Sequence, residues 1–136
     1  MSSMLLEIVT PERKIYAREV NMVLAKGIEG ELGILPNHIP LVTPLRIAAV
    51  TAKVSGEKDH VVAVHGGFME VRKDKVVILA ESAELPEEID LDRAARARER
   101  AEARLREARS AKIDHLRAEQ ALSRALLRMN IRQRDI

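Results

Sequence analysis

Cysteine is absent from the 136 residues. No disulfide and no thiolate metal site can therefore hold the chain together, and the absence agrees with a reducing compartment. Aromatic residues are almost as scarce: Tyr16 and Phe68 stand alone, which leaves little for stacking against nucleic-acid bases. No apolar run approaches the ~20 residues that a membrane span needs. The opening MSSMLLEIVTPERK has no basic segment before its short apolar run, so it is not expected to act as a signal peptide. Gly27-x-x-Gly30 and Gly66-Gly67 lack a following Gly-Lys-Ser/Thr, so no P-loop is expected. His38, His60, His65 and His115 share no H-x-x-x-H spacing, and no G-x-S-x-G occurs. Neither metal nor nucleophilic catalysis finds support.

What is present is unevenly distributed. The net charge is +2, but residues 1–84 carry 10 Lys and Arg against 11 Asp and Glu, and from Arg104 onward the count is 9 against 4. The basic charge is concentrated in the last third. The stretch Glu84–Ala94, ELPEEIDLDRA, separates a turn-rich region from an alanine-rich, charged one. It marks the boundary between two expected domains, 1–84 and 85–136.

The first region reads as strands. Met4–Val9 is apolar and ends at Thr10-Pro11-Glu12, a turn signal. Ile15–Leu24 follows as one half-buried strand, with Val20, Met22 and Leu24 alternating with their neighbours. Lys26–Gly33 should turn. In GILPNHIPLVTPL, prolines at 36, 40 and 44 exclude a helix and suggest short extended pieces and tight turns. Arg46–Val54 and His60–Val64 are strands flanking the loop Ser55–Asp59, and His65-Gly66-Gly67 is expected to end the second of them. Phe68–Arg72 and Lys75–Ala80 flank the turn Lys73-Asp74. The expectation is α+β: an N-terminal antiparallel β-sandwich of about ten short strands, then helices.

After Pro86 the period becomes helical. Asp90 can cap a helix by accepting a backbone N–H. Leu91, Ala94, Arg98, Ala101, Leu105 and Ala108 follow helical spacing, and Ala118, Leu122, Ala125, Leu126 and Met129 form a second stripe. An antiparallel two-helix hairpin turning near Ser110-Ala111-Lys112 is expected, with one continuous helix as the competing form. Its seams are mostly alanine, so the hairpin should close on little apolar area. Arg93 and Arg100 lie seven apart on one helix, and Arg124 and Arg128 four apart on the other. If the hairpin closes, these four could converge near Glu84 and Asp90, a set suited to polyphosphate. The alternative is a solvated basic face with weak ion pairs. Two functional classes stay open: a regulatory interaction protein whose basic helices meet an acidic partner, and a nucleic-acid-binding module.

Gly30–Leu45, GELGILPNHIPLVTPL, resembles the hallmark segment of the ε subunit of bacterial F-type ATP synthase. Val9-Thr10-Pro11, His65–Val71 (HGGFMEV), Val76–Ala83 and the charged helical tail are similar to that family too. The resemblance implies a non-catalytic, peripheral subunit of the rotor's central stalk on the cytoplasmic face of the bacterial membrane. It implies binding to the γ subunit and the c-ring through the segment holding Glu31, His38 and Leu41. It further implies that the tail inhibits ATP hydrolysis by extending toward the α/β head, with Arg104, Arg106, Arg109, Lys112 and Arg117 as contacts to an acidic motif of the β subunit. Some members bind ATP on the folded hairpin through Ile/Leu-Asp-x-x-Arg-Ala, which stands here as Ile89-Asp90-Leu91-Asp92-Arg93-Ala94. Matching position by position, with a one-residue shift in the turn, implies ATP as a regulatory ligand, with or without Mg²⁺. The matching residues are Glu84, Ile89, Asp90, Arg93, Ala94, Arg100, Arg124 and Arg128. A near copy, Ile113-Asp114-His115-Leu116-Arg117-Ala118, opens the second helix and reads as a cap.

Overall fold

The computed structural model describes residues 2–107 and 112–135, the side chains of 112, 113, 134 and 135 excepted. Contacts divide the chain into two compact units, Met1–Leu85 and Pro86–Ile136.

The first unit contains eight strands: β1 (Met4–Val9), β2 (Lys14–Val20), β3 (Met22–Gly27), β4 (Gly30–Ile34), β5 (Leu41–Lys53), β6 (His60–Val71), β7 (Lys75–Ala80) and β8 (Ala83–Glu84). Their order is β2-β1-β7-β6-β5-β3-β4, with β8 on β6. Every pairing is antiparallel except β1 with β7, which runs parallel.

Two expected breaks within these strands are not breaks. β5 runs 13 residues through Pro44, and β6 runs 12 through Gly66-Gly67. The two strands pair from Leu41↔Val71 to Ala52↔His60, skipping only the level of Arg46 and Gly66. There the paired strands turn from one layer of the sandwich into the other. The first halves of β5 and the last half of β6 lie with β7 and β1; the remaining halves lie with β3 and β8. Gly66 and Gly67 take positive φ, 83° and 133°, which favours glycine over L side chains. A Cβ on Gly67 would sit 2.1 Å from the Leu79 carbonyl oxygen. The glycines thus bend a strand that composition alone suggests they end.

A second difference lies at Asn21. The expected strand Ile15–Leu24 is two strands, β2 and β3, because Asn21 interrupts them. Its side chain donates to the Ser2 carbonyl and accepts from Ser55 N–H. Burial changes phase across it: Val20 and Val23 are both buried, which strict alternation forbids. The core between the layers is aliphatic, led by Met4, Leu6, Ile8, Ile34, Met69 and Ile78, each at most 1% exposed.

The second unit begins with a 3-10 turn, Pro86–Glu88, followed by α1 (Leu91–Glu107) and α2 (Lys112–Asp135). Asp90 caps α1: its carboxylate accepts the Arg93 N–H at 3.1 Å, and its carbonyl accepts from Ala94. The helices pack side by side, and α2 also packs on the 3-10 turn. A hairpin is therefore formed. The expected turn at Ser110-Ala111, with Ala108, lies outside the described residues. The buried seam is Ile89, Ala94, Ala101, Ala118, Ala125 and Ile131. Leu126, expected in that seam, is 42% exposed. Helical spacing puts it one position past Ala125, where it rotates out of the interface.

Candidate functional site

Each unit presents a surface that its own folding does not use. On the β unit, strand alternation sends some apolar residues outward. Met69 and Val71 are buried, so Phe68 faces away; Ile78 and Ala80 are buried, so Leu79 does the same. Pro44, Phe68 and Leu79 are consecutive cross-strand partners in β5, β6 and β7. Val42 lies two residues from Pro44 on the same face of β5. Phe68, Leu79 and Val42 are more than half exposed, as are Ile28, Leu35 and Ile39. The loops carrying the last three are tied to this end of the sheet. Ile28 N–H donates to the Pro44 carbonyl, and Asn37 N–H donates to the Lys73 carbonyl. Arg46 donates to the Gly27 and Ile28 carbonyls at 3.2 and 2.6 Å and holds the β3–β4 turn. An apolar patch held this firmly in place marks an interaction surface.

The residues expected to make stalk contacts lie around it. Glu31 sits on β4 opposite Lys26, in a long, exposed ion pair of 3.7 Å. His38 follows Asn37, whose φ of 68° shapes the loop, and its Nδ1 lies 2.6 Å from the Ile39 carbonyl oxygen. Leu41 is half-buried against the core, so it shapes the segment more than it offers contact. Ile39 lies within the segment expected to make those contacts, whereas Phe68, Leu79 and Val42 were not singled out from the sequence. Their signal is the phase of the alternation, which can be read only once one buried neighbour is known.

Within the β unit, His65 is buried, and its Nε2 lies 2.9 Å from Glu84 Oε1. His65 Nδ1 has no hydrogen-bond partner among the described residues. Glu84, expected as an ATP contact, is thus engaged within the β unit by a histidine.

On the helical unit, the ATP-motif residues take different duties. Ile89 and Ala94 are buried seam residues, and Asp90 is occupied as a cap. Arg93 and Arg100 are exposed on α1, and Arg124 and Arg128 are half-buried on α2. Arg124 lines a groove of about 590 Å³ with Arg104, Glu107, Asp114, Arg117, Ala118, Gln120 and Ala121. Among the described residues no ion pair engages the guanidiniums of Arg93, Arg100, Arg104, Arg117 or Arg124. Unpaired guanidiniums on one hairpin fit a polyphosphate. Arg106 is exposed at the end of α1. Arg109 and the Lys112 side chain lie outside the described residues. No group of three metal-ligating side chains occurs among the described residues.

The β-sandwich with its exposed apolar rim is thus followed by an arginine-rich helical hairpin. Family models agree on both halves. Residues 3–86 match the ATP synthase Delta/Epsilon chain beta-sandwich domain, and residues 87–133 match the long alpha-helix domain of the same chain. The chain belongs to the delta/epsilon family of ATP synthase subunits.

Curated relatives bear the name ATP synthase epsilon chain. One from Halalkalibacterium halodurans is 53% identical over 131 residues, covering 96% of this chain and 98% of the relative. Another from Brevibacillus brevis is 61% identical over 107 residues, 79% and 81% of the two chains. Among solved structures, a chain of the Euglena gracilis mitochondrial ATP synthase, determined with OSCP, F1 and c-ring, superposes with a TM-score of 0.77. It is 26% identical, over 90% of this chain and 77% of that one. These curated relatives make the chain an epsilon-type member of that family. No helix among the described residues is long and apolar enough to cross a membrane.

Proposed function

We propose that the β unit docks the subunit onto the γ subunit and the c-ring at the cytoplasmic face of a bacterial membrane. The rim of Ile28, Leu35, Ile39, Val42, Phe68 and Leu79, with Glu31 and His38 beside it, is the docking face. The chain itself performs no catalysis. The helical unit is a brake on ATP hydrolysis: opened, it carries Arg104, Arg106, Arg109, Lys112 and Arg117 toward an acidic segment of the β subunit. ATP, with or without Mg²⁺, opposes this by holding the hairpin closed through Asp90, Arg93, Arg100, Arg124 and Arg128.

The observation that carries this reading is the seam. It buries four alanines and two isoleucines. A buried methyl contributes about 0.8 kcal/mol, against about 1.5–3 kcal/mol for a whole aliphatic side chain. A closure so weakly held can be shifted by a ligand. A ligand at about 100 times its dissociation constant stabilises the state it binds by ~2.7 kcal/mol. Moving a population from 1:99 to 99:1 takes ~5.5 kcal/mol, so ATP biases the hairpin, and loss of the acidic partner completes the shift.

Two measurements test this. Calorimetric titration of ATP into the full chain should give binding that Arg93→Ala, Arg128→Ala abolishes; equal binding by the variant sinks the ATP reading. Ending the chain after Leu85 should raise ATP hydrolysis by the assembled synthase; an unchanged rate sinks the brake.

A further inference from the structure

The groove between the helices is lined mainly by residues outside the ATP motif. Its α1 wall is Arg104 and Glu107, one turn apart. Its α2 wall is Asp114, Arg117, Ala121 and Arg124, spaced three, four and three, so all four share a face. Arg117 and Asp114 belong to the copy Ile113–Ala118 that the sequence presents as a cap. In the structure, Asp114 and Arg117 also face the groove.

We infer that this groove is a second anion site, which takes a phosphoanhydride chain between Arg104, Arg117 and Arg124. Three observations support the site. The volume of about 590 Å³ falls within the roughly 300–1,000 Å³ of small-ligand clefts. Its three guanidiniums have no ion-pair partner among the described residues, although Glu107 and Asp114 share the lining. Small alanines at 118 and 121 share the lining, which leaves the arginine heads room to close on a ligand from both helices. Guanidinium matches phosphate oxygens bidentately, so contacts from α1 and α2 would staple the hairpin at this end. The site shares Arg124 with the proposed ATP set and otherwise does not rest on it.

The chain could come from a nucleoside triphosphate or from free inorganic polyphosphate, and sodium tripolyphosphate is the probe that isolates the shared chemistry. Titrated into the full chain in Mg²⁺-free buffer, tripolyphosphate should bind, and Arg104→Gln, Arg117→Gln should weaken it about 30-fold or more. Circular dichroism checks that the helices of the variant are intact; both side chains are exposed, so they should be. Glu107→Gln removes a like charge from the lining and should tighten binding about threefold. A structural defect would not produce that gain. The same arginine variant titrated with ATP separates the sources. Loss of ATP binding as well assigns the groove to nucleotide phosphates; loss of tripolyphosphate alone assigns it to free polyphosphate. Absence of tripolyphosphate binding to the unmodified chain overturns the site. So does an unchanged affinity in Arg104→Gln, Arg117→Gln, or no gain in Glu107→Gln. Failure of Arg93→Ala, Arg128→Ala to affect ATP overturns the earlier reading and leaves this one standing.

Discussion

The β unit and the helical unit close on opposite kinds of core. The first interdigitates Met4, Leu6, Ile8, Ile34, Met69 and Ile78 between two layers, all with essentially no exposure. The second brings helices together on alanine, flanked by Ile89 and Ile131. Alanine lets the helix axes approach and has high helix propensity, but it removes little apolar surface from water. One unit closes on large aliphatic side chains, and the other on small ones. The arginines sharpen the contrast. The β unit spends its basic residues in pairs such as Arg18 with Glu57 and Lys14 and Lys75 with Glu7, while the hairpin leaves several guanidiniums unpaired among the described residues.

The comparison can be broken from either side. The largest effect is expected from Ile78→Ala, which empties a fully buried site and should cost about 2–5 kcal/mol in urea unfolding of the β unit. Helical exchange rates should be unchanged; if both units lose stability together, they are not separate folding units. Gly67→Ala comes next. Its φ of 133° and its Cβ position 2.1 Å from a carbonyl oxygen should cost about 2–4 kcal/mol, and retained stability would contradict the strand crossing described. In the hairpin, Ala101→Gly should cost about 1 kcal/mol. Asp90→Ala should cost a similar ~1 kcal/mol through loss of the cap. Either change should raise amide exchange in α1 and α2 only. Because the hairpin closes on so little, these small losses should open it measurably, whereas an equal loss in the β unit would pass unnoticed.

The smallest effect is electrostatic. Lys75 and then Lys14 hold the Glu7 carboxyl below its ordinary value of 4.5. A depressed folded-state value means that the pair contributes stability above the unfolded value and loses it as pH falls through the folded one. The difference between the unmodified chain and Glu7→Gln should therefore be flat at neutral pH, shrink below pH 4.5 and vanish below the lower folded-state value. A difference that grows on acidification would reverse the sign of the interaction.

Much of the fold was legible because the signals are local. Apolar runs bounded by turn signals mark β1 and β7, the change to helical period marks α1 and α2, and Asp90 caps where a cap was expected. The errors come from residues whose meaning depends on a neighbour. Gly66-Gly67 and Pro44 punctuate an isolated segment, yet inside a paired strand the same residues permit a bend. Asn21 looked like one position in an alternating strand, and its two side-chain hydrogen bonds to Ser2 and Ser55 divide that strand instead. In the candidate site, the Ile-Asp-x-x-Arg-Ala motif was readable as a spacing. The burial of Ile89 and Ala94 was not, since it depends on the partner helix.

By itself, the sequence determined the class of each half, the helix boundary at Asp90, the basic tail and the alanine stripes, because each depends on residues within a few positions of one another. Only the tertiary structure decided that Phe68, Leu79, Pro44 and Val42 form one exposed face, and that His65 meets Glu84. It also decided that Arg104 and Arg117 share a groove with Arg124. Those groupings join residues up to 37 positions apart in the chain, and such distances are set by strand register and helix packing.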